Sequence, residues 1–139
     1  MMARRLLCGL ALVLLPVAVQ AQKTVVGNST STLSPGVRVG DLLFLSGQLP
    51  ARGDSTIEGQ TKSTLERMNP ILAQAGTSKE HIVKCTVFLV DVKDFAGMNK
   101  AYSEFFTEKP PARSTIVVAA LVVPNAKLEI ECIAAIPKP

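Results

Sequence analysis

Few side chains in this sequence could do chemistry, and their surroundings exclude most of them. His81 is the sole histidine. It stands beside Lys79 and Glu80 in a polar turn, where solvation is expected. With one histidine and no Cys-x-x-Cys spacing, neither a metal site nor a histidine-based triad has residues to be built from. Cys85 and Cys132 lie inside apolar, strand-like runs, which favours buried free thiols acting as small hydrophobes. A bridge between them is the alternative in an oxidising compartment. What remains are two alternating pairs, Arg113 with Thr115 and Glu129 with Glu131. Strand period two puts each pair on one face of its own strand.

The elements that must position these residues can be read in order. Arg4 and Arg5 precede an apolar run from Leu6 to Val19, and Val19-Gln20-Ala21 offers small residues where a signal peptidase inspects them. Residues 1–21 are therefore expected to be a cleaved signal peptide, and the protein periplasmic or secreted. An uncleaved anchor is disfavoured because no basic stop-transfer cluster follows. No small residue precedes Cys8 as a lipobox would need, so it reads as part of the apolar run. The mature chain, 118 of the 139 residues, loses Arg4 and Arg5, which leaves 13 basic against 11 acidic residues and a charge of +2. That is one domain with one core. It also lacks the clustered basic stripe of a nucleic-acid binder.

Residues 22–36, polar and Ser/Thr-rich, read as a loose leader, and 37–139 as the folded domain. Val37–Val39 and Leu42–Ser46 are short strands joined at Gly40-Asp41. From Ile57 to Ala75, Leu65, Met68 and Leu72 recur at helical spacing with Gly76 as C-cap. Pro70 should kink or split that helix. Ile82–Asp91 is the best strand. Asp94 could cap a second helix carrying Phe95, Met98, Tyr102 and Phe105. Arg113–Val118 and Lys127–Ile136 are the last strands. This order predicts an α+β sandwich of two layers, with two helices on one face of a mostly antiparallel sheet. Leu128, Ile130, Cys132 and Ala134 belong under the helices. Glu129 and Glu131 then lie on the second face, which must meet solvent, a ligand or another subunit.

Five segments in order resemble the reactive intermediate deaminase (RidA/YjgF) family: Leu43 to Gln48, Val83 to Phe88, Asp94 to Asn99 with Tyr102 and Phe105-Phe106, Pro111 to Thr115, and Leu128 to Glu131. The resemblance runs from about Ser34 to Ile136. It implies a chorismate-mutase-like fold assembled as a homotrimer, with clefts between subunits. It also implies hydrolysis of amino-acid-derived imines and enamines to 2-keto acids and ammonia, without metal or other cofactor. Arg113 matches the arginine that grips the substrate carboxylate, a task suited to a planar cationic fork. Glu129 matches the glutamate that activates the attacking water; Glu131 is the less favoured of the two. Asn99, Ser46 and Gly47 match cleft-lining positions. Thr115 stands where many members carry a cysteine. Leu33 stands where many carry a tyrosine, and keeps an apolar wall without the hydroxyl.

Three functions compete on these residues. The first is the hydrolytic deaminase in an exported setting, acting on a small imine or carboxylate. The second is a trimeric protein that binds small carboxylates without turning them over. The third, RNA cleavage, is opposed by the low charge, by aromatics that read as core, and by the lack of a histidine placed for acid–base work. No nucleic-acid partner is expected, and no membrane once the leader is removed.

Overall fold

The computed structural model describes residues 22–138; the expected signal peptide lies outside the described residues. Six strands form one sheet: β1 (Lys23–Val26), β2 (Gly36–Val39), β3 (Leu42–Leu45), β4 (Ile82–Leu89), β5 (Ala112–Val117) and β6 (Leu128–Ala135). Three helices accompany them: α1 (Ile57–Glu66), α2 (Asn69–Gln74) and α3 (Phe95–Phe105). The strand order is β1-β2-β3-β6-β4-β5. Every pairing is antiparallel except β4 with β5. That exception follows from α3, which is the crossover a parallel pair requires. The architecture is the expected α+β sandwich. Among the described residues no helix is long and apolar enough to cross a membrane.

Alternation in β6 divides the two faces of the sheet. Leu128, Ile130, Cys132 and Ala134 are all but inaccessible to solvent beneath the helices. They meet Leu65, Met68, Leu72 and Met98 in one core. Burying each leucine, isoleucine or methionine side chain among them contributes about 1.5–3 kcal/mol. Glu129, Glu131 and Ile133 point to the open face.

Local sequence explains the helix boundaries. Thr56 caps α1 by accepting from the Gly59 amide at 3.1 Å. Pro70 sits in the first turn of α2, where its missing donor costs nothing, so the expected single helix is split in two. Gly76 ends α2 with φ +77°, and Thr77 N–H donates to the Leu72 carbonyl over it at 3.0 Å, as a left-handed C-terminal cap requires. Asp94 does not cap α3 as expected; its side chain makes no capping bond and pairs instead with Lys127 at 3.2 Å. Asp91 caps the short turn before α3, accepting from Lys93 N–H at 2.9 Å.

Two expectations need correction. The stretch 22–36 is not loose throughout, because Lys23–Val26 pairs with β2 as an edge strand. Its Thr-Val-Val run has the β-branched composition that suits a strand, but only Val26 is buried, so the run showed no alternation. The cysteines are not free thiols. Cys85 and Cys132 are opposite residues of β4 and β6, with Cα atoms 4.1 Å apart, and they form a disulfide. Both runs are buried strands, and that the two strands pair with each other is visible in neither run alone.

The disulfide closes a loop with a sequence separation of 47 residues. Its removal should cost about 2–4 kcal/mol by the usual effect of cross-links on the unfolded chain. The paired variant Cys85→Ala/Cys132→Ala is expected to lower the urea midpoint accordingly. The chain lacking residues 1–21, unfolded without reductant, should react with no thiol reagent, because both of its cysteines are in the disulfide.

Candidate functional site

Arg113 lies on β5 opposite Cys85, and Thr115 opposite Val87, so both side chains take the helix-covered face. Among the described residues, the hydrogen-bond and ring partners of the guanidinium all come from α3. Arg113 Nη2 donates to Asn99 Oδ1 at 2.7 Å, and Nη1 lies 3.7 Å from Met98 Sδ. The guanidinium carbon sits 4.6 Å from the Tyr102 ring centre and 5.9 Å from that of Phe95. Among the described residues no carboxylate lies within ion-pair reach of Arg113. The arginine is half-buried and edges a cleft of about 470 Å³ lined by Asn99, Tyr102, Ser103, Phe106, Pro110 and Pro111. Two buried hydroxyls on this side, Tyr102 Oη and Thr115 Oγ1, have no hydrogen-bond partner among the described residues. Burial pushes the Tyr102 phenol up to about 12, against the pull of the Arg113 cation.

Glu129 lies on the other face. Its register partner on β4 is Phe88, and Glu131 stands opposite Thr86. The Glu129 carboxylate fills the space that a side chain at residue 47 would need, so any residue other than glycine there would displace it. Gly47 lies two residues past the end of β3, and Gln48 next to it exchanges both backbone hydrogen bonds with Ile130 at 2.8 and 3.0 Å. Ser46 donates its hydroxyl to the Ser34 carbonyl at 2.7 Å and its amide to the Pro35 carbonyl at 3.0 Å. The Ser46 proton is therefore spent on the chain, and the hydroxyl can offer a ligand only its lone pairs. These bonds also tie down the turn bearing Leu33, a side chain that is 56% exposed. Burial, then the neighbouring Glu131 charge, raises the Glu129 pKa above the ordinary glutamate value.

The candidate residues thus form two groups. Arg113, Asn99 and Thr115 converge on one face, and Ser46, Gly47 and Glu129 on the other. Strand β4 separates the strands of Arg113 and Glu129. Within one chain the two groups do not meet.

Residues 27–136 match the family model described as endoribonuclease L-PSP. Reactive intermediate deaminase A of Arabidopsis thaliana chloroplasts is 42% identical over 107 residues, covering 73% of this chain and 57% of that protein. A YjgF-family protein of Neisseria meningitidis superposes with a TM-score of 0.80 at 28% identity, over 86% of this chain and 99% of that one. The chain belongs to the RidA/YjgF family. The mitochondrial protein mmf2 of Schizosaccharomyces pombe is 40% identical over 105 residues, 71% of this chain and 83% of that protein. E. coli TdcF, solved with bound serine, superposes at a TM-score of 0.73 with 34% identity, over 81% of this chain and 98% of that one.

In this RidA-family chain size alone does not mark the site. A hollow of about 510 Å³ between α1 and α3 exceeds the Arg113 cleft, but its charged lining includes none of the residues above. The surroundings of Arg113 were missed from sequence because Phe95, Met98 and Tyr102 share the spacing of a core stripe. Met98 and Tyr102 do enter the core, and they also face the guanidinium. His81 lies exposed on a short turn with Nδ1 3.1 Å from Ser78 Oγ.

The cause of the Glu129 shift can be tested directly. A like charge disfavours ionisation, so Glu131→Gln should lower the Glu129 pKa toward the ordinary value. Carboxyl chemical shifts followed against pH would show this, and an unmoved midpoint would leave burial as the sole cause.

Proposed function

We propose that this chain is an exported hydrolase that adds water across the C=N bond of amino-acid-derived imines and enamines, after tautomerisation in the latter case, releasing ammonia and a 2-keto acid. One observation carries the reading. Arg113 is a half-buried cation at a cleft edge, held by neutral groups and facing no carboxylate of the described chain. Such a guanidinium suits the carboxylate of a small substrate, bound through its planar fork of donors. The name of the Arabidopsis relative and the serine bound to the E. coli relative support the same ligand chemistry.

Catalysis needs a base as well, and Glu129 is suited to it. A carboxylate with a raised pKa takes a proton from water more readily than an ordinary one. Glu129 and Arg113 occupy opposite faces, so a second copy of the chain must complete the site. A homotrimer would do this by packing open sheet faces together. Leu42, Phe44 and Ile116 are exposed on the Glu129 face, an apolar surface in keeping with burial against another subunit. Leu33 would then form part of the cleft wall. Export is supported by the leader 1–21 and by the disulfide, a bond that persists in oxidising compartments.

The test generates an imino acid in situ with an amino-acid oxidase and measures ammonia release. Arg113→Ala is expected to lower kcat/KM by about 10- to 100-fold, the loss typical of a hydrogen bond to a charged group. An unchanged rate in a folded, assembled variant would sink the mechanism. Tight carboxylate binding with no ammonia release would establish the competing reading, a trimeric binding protein built around the same arginine.

A further inference from the structure

The partners of Arg113 share a property that none has alone. Asn99 Oδ1, Met98 Sδ and the Tyr102 ring are all electron-rich, and none carries a charge. An aromatic face attracts a guanidinium without neutralising it. An amide oxygen does the same through a directed hydrogen bond. The acid at the head of α3, Asp94, is engaged by Lys127 at 3.2 Å. Nor does helix formation explain an asparagine in the middle of α3, because its side chain competes with the backbone for hydrogen bonds.

We infer that Asn99 is a positioning residue that acts by being neutral: it fixes the orientation of the Arg113 guanidinium while leaving its charge for a bound carboxylate. This deepens the proposed function, and only its carboxylate ligand is taken from there. Asn99 was expected to hydrogen-bond substrate directly. Its oxygen is committed to Arg113, so the effect of that oxygen on a ligand passes through the arginine, while Nδ2 keeps its donors for the cleft. Aspartate at position 99 would have almost the same shape and would keep the acceptor, but it would cancel the charge. Alanine would keep the neutrality and lose the acceptor.

Pyruvate and its neutral amide, pyruvamide, titrated calorimetrically into the purified protein, separate the two properties. The wild type should prefer pyruvate. Asn99→Asp should weaken pyruvate at least about tenfold, as expected for a competing charge at hydrogen-bond distance, and leave pyruvamide nearly unchanged. Asn99→Ala should weaken pyruvate by roughly 3- to 10-fold, the usual cost of one lost hydrogen bond. Asn99→Ser, neutral and still an acceptor, should bind pyruvate better than Asn99→Asp. In turnover these losses should fall on KM rather than kcat. A merely structural asparagine would not change the preference between acid and amide. The inference is overturned if Asn99→Asp binds pyruvate like the wild type, or if Asn99→Ala does. If the wild type shows this pattern but releases no ammonia from an imino acid, the catalytic reading falls and the role of Asn99 stands. A wild type indifferent between pyruvate and pyruvamide overturns both.

Discussion

The register of β6 against β4 is the constraint on which the rest of the structure depends. Cys132 stands opposite Cys85, and Cys85 in turn stands opposite Arg113. The three form one row across three strands, all on the helix-covered face. The disulfide ties two members of that row together within the core. A slip of one residue would exchange the faces of a whole strand. It would move Glu129 into the core and Ile130 out of it. The pairing that buries the apolar half of β6 therefore also presents its glutamates on the open face.

That geometry separates two electrostatic environments. On the helix side, Arg113 is surrounded by polarisable but neutral groups and pairs with no carboxylate of the described chain. On the open side, burial and the charge of Glu131 hold Glu129 closer to its neutral form. A cation awaiting an anion and a carboxylate with raised basicity would be complementary parts of the proposed hydrolytic site. Assembly with a second copy would bring the two parts together at a spacing fixed by rigid strands rather than by loops.

Much of this was legible in the sequence because it rests on periodicity. Alternation in Leu128 to Ala135 assigned the faces of β6, and Pro70 announced the division between α1 and α2. The site residues came from ordered motifs, and the structure groups Arg113 with Asn99 and Glu129 with Gly47. The failures have a common physical origin in pairing across the chain. Nothing within the Cys85 or Cys132 run shows that each faces the other. The polarity of the Ser114–Ile116 row could not tell which face Arg113 takes; only pairing with β4 decides it. Lys23–Val26 is a strand because β2 offers it an edge, not because its own pattern is strong. Asp94 had the type and place of a helix cap, but the charge of Lys127 drew it away.

The disulfide and the expected leader bear on one question, where the protein works. A cross-link through the central strands makes part of the sheet's stability depend on an oxidising environment. In the cytoplasm the same two cysteines would be small buried thiols, and the core would lose that contribution without losing its packing. If the leader directs export, the substrates of the proposed hydrolase would differ from imines released by cytoplasmic cofactor enzymes. In the proposed site Arg113 would recognise a carboxylate and be indifferent to the rest of the molecule. Adaptation to a different side chain must then lie elsewhere in the cleft wall. Leu33 is suited to that role: it is exposed, apolar, and carried on a turn bonded to Ser46, so it can vary without disturbing the row of residues that holds the arginine.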